Sequence, residues 1–241
     1  WAVLLSESLY WIVMGPRLKQ PVRANAAVQQ MMEIGIFAVP IVALLSATIG
    51  LMLAMQGIHA LSKFGAEDQV VYGVSLSIVR EFAALITGIL VAGRSGSALA
   101  ARLSTMQINQ EVDALQVMGI NPVRFLVAPA LIAMVIMIPA LAFLANIVAL
   151  LAAGVFVSVD LGISLAAYWN QVFDSVTLGD LWHGLTKAVI FAILITLIGV
   201  SNGASVTGGA EGVGRVTTRA VVQSIIAILV TDMLFVFITT R

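Results

Sequence analysis

Five stretches of this sequence are each long and apolar enough to cross a lipid bilayer, which takes about 20 mainly apolar residues in a helix. They run from about Ile34 to Ile58, Val70 to Ala92, Phe125 to Ala153, Gly184 to Ser201 and Arg219 to Thr239. Pro40 in the first stretch and Pro129 and Pro139 in the third do not argue against spanning helices. Neighbouring helices and polar side chains can satisfy the carbonyls that a proline frees. Composition points the same way. The chain is 61% hydrophobic and only 10% charged, against about half and a quarter in a soluble domain. Too little polar side chain exists to cover a water-exposed surface, so the fold class is an all-α integral membrane protein.

The same counts exclude other classes. The 12 basic and 12 acidic residues cancel, so there is no basic excess for nucleic acid and no acidic disordered tail. Without cysteine there are no disulfides, thiolate metal sites or cysteine nucleophiles. Two histidines, His59 and His183, are too few for a metal cluster. The chain starts at Trp1 without a methionine, so further residues are expected ahead of it. The first 14 residues are apolar but too short to cross. They carry Trp1, Tyr10 and Trp11 with one charge, Glu7, and end at Gly15-Pro16. Tryptophan and tyrosine favour the headgroup level, so residues 1–14 read as a helix lying in the membrane interface. The other reading is the C-terminal half of a spanning helix. Orientation follows from the basic residues. With the N-terminus inside, the inner segments hold Arg17, Lys19, Arg23, Arg94, Arg102, Arg124, Arg215 and Arg219. The outer ones hold Lys63, Arg241 and Lys187, and an outer loop from Val155 to Leu181 carries Asp160, Asp174 and Asp180. The N-terminus is therefore expected in the cytoplasm and the C-terminus outside.

Chemistry is expected where polar groups are costly. Arg80 and Glu81 fall near the middle of the second span. A charge there costs about 2.5–3.5 kcal/mol on insertion scales and has to face protein or water. Adjacent residues on a helix point about 100° apart, so each needs a partner elsewhere. Asp232 in the fifth span is the candidate for Arg80. The two readings are a structural ion pair and a cavity lining. In the inner loop from Gly93 to Arg124, Gly93-Arg94-Ser95-Gly96 matches the Gly-x-Ser-Gly pattern of intramembrane serine proteases. His183, the only serious base, is expected at the opposite side of the membrane, so the small residues read as helix packing. Farther on, Asn109 can cap a short helix that begins with Glu111 and Asp113 and ends at Gly119 before Pro122. Val112, Leu115 and Met118 give that helix one apolar face, which reads as a grip for a soluble partner or as a surface lying on headgroups. A glycine-rich loop from Gly203 to Arg219 tempts a phosphate-loop reading, but no Gly-x4-Gly-Lys-Ser/Thr run exists. Thr217 and Thr218 read as caps of the last helix.

These stretches together resemble the MlaE/YrbE family of permeases, which work with MCE-domain proteins in ABC lipid transporters. The matching residues are Gln56-Gly57, Arg80-Glu81 and Ala92 to Ala98, then Glu111 with Ala114-Leu115 and Met118 to Pro122. They continue with Lys187, Gly209 to Arg215, Thr217 to Val222 and Asp232. The resemblance covers roughly Val28 to the C-terminus. Asp113-Ala114-Leu115-x3-Gly119 is similar to the loop by which ABC permeases dock their ATPases.

The resemblance implies a single permease domain over residues 1–241 that catalyses nothing itself, ATP being hydrolysed on two partner ATPase subunits. It implies a homodimer in the bacterial inner membrane, a ring of MCE-domain proteins above it and a small STAS-type regulatory subunit. It implies movement of phospholipid or a related lipid between the inner membrane and the MCE partner, maintaining outer-membrane asymmetry. It places Leu53, Gln56, Leu61, Phe64, Arg80, Glu81 and Phe82 around the lipid. Glu111, Asp113, Ala114, Leu115, Met118 and Gly119 fall at the ATPase-coupling helix, and Asp232 and Lys187 become partners for the intramembrane charges. No cofactor and no metal is implied for this chain. The family often has Leu-Gly-Pro after the Arg-Glu pair, where this chain has Phe82-Ala83-Ala84, which implies a straighter second span. The rival readings are a proton-coupled secondary transporter using Arg80, Glu81 and Asp232 as a relay, and an assembly scaffold.

Overall fold

A computed structural model describes residues 2–15 and 23–239. Trp1, Pro16, Arg17, Lys19 and Arg241, used above for the interfacial and orientation readings, lie outside the described residues. Those described are helical nearly throughout, and there is no strand among them. Five continuous helical stretches are long and apolar enough to cross a membrane: Ala24–Ser62, Glu67–Ile108, Val123–Leu161, Leu178–Ala204 and Gly209–Thr239.

These stretches outrun the hydropathy limits, because a helix continues into water wherever its local sequence allows. The first is α2 (Ala24–Ile34), a short 3-10 turn over Ile36–Ala38, and α3 (Val39–Ser62). Pro40 falls in the first turn of α3, not in its interior, where its missing N–H breaks no bond. The second is α4 (Val70–Ser77), a π-helical turn over Ile78–Phe82, α5 (Ala83–Val91), a second π turn over Ala92–Gly96, and α6 (Ser97–Ile108). The inner loop expected from Gly93 is thus helix as far as Ile108, and the span expected to be straighter carries wide turns. After the short α7 (Glu111–Val117), Asn121 Oδ1 accepts the N–H groups of Val123 and Arg124 at 2.8 and 3.1 Å. That cap, with Pro122 behind it, starts a third π turn over Val123–Val127 that leads into α8 (Ala128–Leu161).

The outer loop expected from Val155 to Leu181 is mostly helical. It holds the end of α8, all of α9 (Leu165–Ser175) and the start of α10 (Leu178–Ala204). The expected glycine-rich loop is likewise short, because α11 runs Gly209–Thr239. Thr217 and Thr218 are not caps. They lie inside α11 and donate back to Gly214 O at 2.8 and 3.0 Å.

The described residues group into two compact units. Unit one is drawn from Trp1–Phe37, Gly88–Ile138 and Val189–Arg241. Its helices approach through glycine. A Cβ on Gly203 would sit 2.8 Å from Leu103 Cβ, and one on Gly96 2.9 Å from Ile195 Cγ2. Of the two glycines flanking Ser95, Gly96 serves close packing, as expected, whereas Gly93 is exposed with nothing within 4 Å. The N-terminal helix α1 (Ala2–Met14) is held where α8 begins. Asn121 Nδ2 donates to Glu7 Oε1 at 2.7 Å, and the Arg124 guanidinium lies 5.3 Å over the Trp11 ring.

Unit two is Ala38–Thr87 with Pro139–Ala188. On α3, Gly50, Ala54 and Gly57, whose i, i+4, i+7 spacing predicts close helix approach in support of a second copy, form a small-residue face. A Cβ on Gly50 would meet Ala149 O at 2.2 Å, one on Gly57 would meet Val74 at 3.2 Å, and Ala54 is fully buried. This face is used within the chain and does not speak for a second copy. Ser164 caps α9 by accepting from Ala167 N at 3.2 Å. Tyr168 turns inward from α9, is buried, and donates to Leu150 O at 3.0 Å. Burial pushes its phenol up to about 12. Gly154 makes the room, since a Cβ there would come within 2.5 Å of the Tyr168 ring.

Candidate functional site

The charges of the second span are answered from α10. Its first turn carries a reciprocal cap. Thr177 Oγ1 accepts from Asp180 N at 3.3 Å, and Asp180 Oδ2 accepts from Thr177 N at 2.9 Å. Thr177 Oγ1 also donates to the same carboxylate oxygen at 2.7 Å. This is the Thr-x-x-acid pattern of a helix start. It fixes the Asp180 carboxylate with Oδ1 turned toward Arg80 Nε, 3.6 Å away. Asp180, His183, Gly184 and Lys187 follow at i, i+3, i+4 and i+7, so they share one face of α10. Gly184 lets that face close on the π turn, because a Cβ there would lie 2.3 Å from Val79 O. Lys187 Nζ then donates to Glu81 Oε2, and His183 Nε2 lies 4.0 Å from Glu81 Oε1.

The π turn makes this possible. In a regular α-helix Arg80 and Glu81 would point about 100° apart. The i→i+5 turn is wider, and both side chains reach partners on the one helix α10. The cluster sets Arg80 and Lys187 against Glu81 and Asp180, so the formal charges cancel. Cancellation offsets much of the cost of holding charges inside a span. The four differ in exposure. The Lys187 side chain is 1% exposed and serves the fold, whereas that of Arg80 is 34% exposed. Only Arg80 Nε approaches a carboxylate, and the terminal guanidinium nitrogens make no hydrogen bond among the described residues.

The partner expected for Arg80 was Asp232, and the carboxylate beside it is that of Asp180. Asp232 belongs to unit one. Lys187, counted above among the outer charges and also named there as a partner for the intramembrane charges, is buried inside α10 as a partner of Glu81. Leu53 and Leu61 are partly buried against the unit-two core. Gln56 is exposed, Phe64 is 83% exposed just past the end of α3, and Phe82 is exposed at the end of the π turn. None of these five makes a hydrogen bond or ring contact with Arg80 or Glu81 among the described residues. From the sequence, His183 reads as a protease base and Asp180 as a loop charge, and neither reads as part of this cluster. Thr177-x-x-Asp180 and the spacing of 180, 183, 184 and 187 are the signals that could have found them.

A short helix, α7, lies between the second and third stretches, and its ends differ from the expected ones in two respects. Its N-cap is Gln110, in the left-handed region at φ 59°, and not Asn109, whose Nδ2 donates to Glu111 Oε1 at 3.2 Å. Its inward face is Val112 and Leu115, packed among Leu103, Leu126, Val127 and Val200. Met118 does not join it and is 64% exposed beside Val117 at 89%. Gly119 ends the helix at φ +74°, with Ile120 N on Leu115 O and Gly119 N on Gln116 O, both at 2.9 Å. This is the Schellman closure, and Ile120 and Leu115 supply its apolar contact. Glu111, Asp113, Ala114, Gln116, Val117 and Met118 are left exposed on a firmly held helix.

Five membrane-capable helices, a charge cluster inside two of them and a capped helix outside them define a multi-spanning membrane permease. The chain belongs to the MlaE permease family: the family described as "Permease MlaE" matches residues 27–238. Among its relatives is a probable ABC transporter permease protein of Rickettsia typhi, 34% identical over 224 residues, 93% of this chain and 86% of that protein. Another is the intermembrane phospholipid transport system permease protein MlaE of Haemophilus influenzae, 34% identical over 207 residues, 85% of this chain and 79% of that protein. The chloroplastic protein trigalactosyldiacylglycerol 1 of Arabidopsis thaliana is 31% identical over 215 residues, 89% of this chain and 61% of that protein.

Proposed function

We propose that the chain is the permease subunit of an ABC transporter that moves phospholipid, or a related lipid, between the bacterial inner membrane and a periplasmic MCE-domain partner. In this reading it maintains outer-membrane lipid asymmetry. It works as a homodimer with two ATPase subunits beneath and a small STAS-type subunit beside them. The N-terminus faces the cytoplasm, the C-terminus the periplasm, and α1 lies in the interface. The observation that carries the lipid reading is Arg80. It is a guanidinium held inside a span by a single 3.6 Å approach to Asp180, one-third exposed and with its fork uncommitted. A phosphate takes such a fork bidentately, and lysine would not replace it. Glu81 cannot bind phosphate beside it. Its part is to hold Lys187 and so to fix the turn that aims Arg80.

Leu53, Gln56, Leu61, Phe64 and Phe82 supply the apolar wall and one polar group for the rest of the lipid. ATPase coupling runs through α7, whose exposed Val117 and Met118 sit on a helix anchored by Leu115.

Photo-crosslinkers at Leu61 and Phe64 in the assembled transporter are expected to capture phospholipid, and one at Val148 much less. Equal capture at all three would mean ordinary bilayer contact and would sink the reading. The approach of His183 to Glu81 favours one rival, proton-coupled transport through Arg80, Glu81 and Asp232. Lipid movement under a proton gradient without ATP would replace the ABC reading with that one.

A further inference from the structure

A second feature that carries arginines lies in unit one. A cavity of about 330 Å³ is bounded by α2, the second π turn, α6 and the start of α8. Arg94 and Arg102, eight residues and two turns apart, line it from one side, and Glu33 lines it from α2. Phe37, Leu99 and Met134 make an apolar wall. Both arginines are exposed, and among the described residues neither has a carboxylate within ion-pair distance. The π turn over Ala92–Gly96 contributes to the aim, because it buries Ser95 and Gly96 against the bundle and leaves Arg94 outside.

Three observations decide what fits. Two guanidiniums and one carboxylate give the lining one net positive charge, the complement of a single phosphodiester. Arginine forks bind phosphate oxygens in pairs. Phe37 and Met134 lie in the first halves of the first and third membrane-capable helices and Leu99 near the end of the second, so the apolar wall belongs to one end of these three stretches. A free phosphate would use the arginines but not the wall, and an acyl chain would use the wall but not the arginines. We infer that this cavity binds the phosphodiester headgroup and upper acyl chain of a bilayer glycerophospholipid, in the leaflet at the end of the spans that carries Arg94 and Arg102. The site does not depend on the chain transporting lipid, and its lipid is distinct from any held at Arg80.

The test uses the full chain in its assembled transporter, reconstituted in phosphatidylethanolamine and phosphatidylglycerol vesicles. A photoreactive phenylalanine analogue is placed at Phe37 or, as a bilayer reference, at Ile136, which is 50% exposed on α8. Phospholipid capture at Phe37 is expected to fall about tenfold in the Arg94→Gln/Arg102→Gln double variant, with capture at Ile136 unchanged. Diacylglycerol with the same acyl chains should be captured at Phe37 about tenfold less than phospholipid. The single variants, each with a partial loss, carry the test if the double variant fails to fold. Equal capture of diacylglycerol and phospholipid, or parallel loss at both positions, would show an ordinary annular lipid and overturn the inference. Protection of Phe37 by excess inorganic phosphate alone would assign the arginines to a free anion and overturn it as well. Failure here leaves capture at Leu61 and Phe64 untouched, so the two readings fall separately.

Discussion

Replacing Gly184 with alanine tests whether the closeness of α10 to the first π turn organises the charge cluster. The added Cβ would stand 2.3 Å from Val79 O, where real contacts essentially never come under 3.0 Å, so the backbones must part by about 0.7 Å. The obstacle is a backbone carbonyl and cannot swing aside like a side chain. Overpacking of this kind costs about 1–3 kcal/mol. A helical Gly→Ala change by itself returns about 1 kcal/mol. Gly73→Ala, on α4 with nothing within 4 Å of its Cβ, isolates that return. Against Gly73→Ala, the Gly184→Ala protein should lose about 1–3 kcal/mol, at roughly 2–4 °C per kcal/mol for a chain of this size. The parting also carries the 3.6 Å Arg80–Asp180 approach beyond the roughly 4 Å limit of an ion pair. Thermal unfolding in detergent reads the first effect, and ATP-driven phospholipid transfer from vesicles reads the second. Gly184→Ala protein that melts and transports like Gly73→Ala protein would show that close contact at Val79 does not set the cluster.

Three further outcomes are expected. Glu81→Gln and Lys187→Met should each destabilise, and the double variant should lose less than the two together, since a neutral pair strands no charge; strict additivity in a melting cycle would deny the pairing. Gly119→Ala places a Cβ on a residue at φ +74° and should cost about 1–2 kcal/mol while loosening ATPase coupling; coupled turnover equal to the parent's would move the docking surface off α7. Tyr168, with its phenol pushed up to about 12, contributes stability that is complete below about pH 10, where free tyrosine titrates, and is lost as pH rises through 12. Tyr168→Phe should melt lower at neutral pH and lose that high-pH component, and identical pH profiles would refute the role of burial.

Much of the architecture was legible because hydrophobic length is a first-order constraint in hydrocarbon. Five runs gave five membrane-capable helices, and Gly119 before Pro122 marked the end of α7. The errors share one cause. Hydropathy reports solvent, not conformation, so polar helix such as Ser97–Ile108 and 209–219 has the hydropathy of a loop. Arg80 and Glu81 are visible as costly charges, and the resemblance supplies Lys187 as a partner, which holds for Glu81; the Asp180 partner of Arg80 is not visible. Asp180 looked like a loop residue because its capping role depends on where α10 begins. Lys187 stands only one turn inside the expected start of the fourth span, so hydropathy leaves it between an outer charge and a partner within the span. The small residues Gly50, Ala54 and Gly57 announced a close approach, and nothing in their spacing says whether the approaching helix is α8 of the same chain or belongs to another copy. The wide turns left no trace in propensity or period.

A π turn is an α-helix with one residue inserted, and the described residues hold three such insertions, over Ile78–Phe82, Ala92–Gly96 and Val123–Val127. Each is a place where the chain can lose one residue and relax to ordinary helix locally, whereas a deletion elsewhere in a span would rotate everything beyond it by about 100°. Sequence length is therefore slack at these three points and tight between them. The first of them holds Arg80 and Glu81. A one-residue deletion there would keep the span intact and turn one of the two charges away from α10, separating the fold's tolerance for change from the site's.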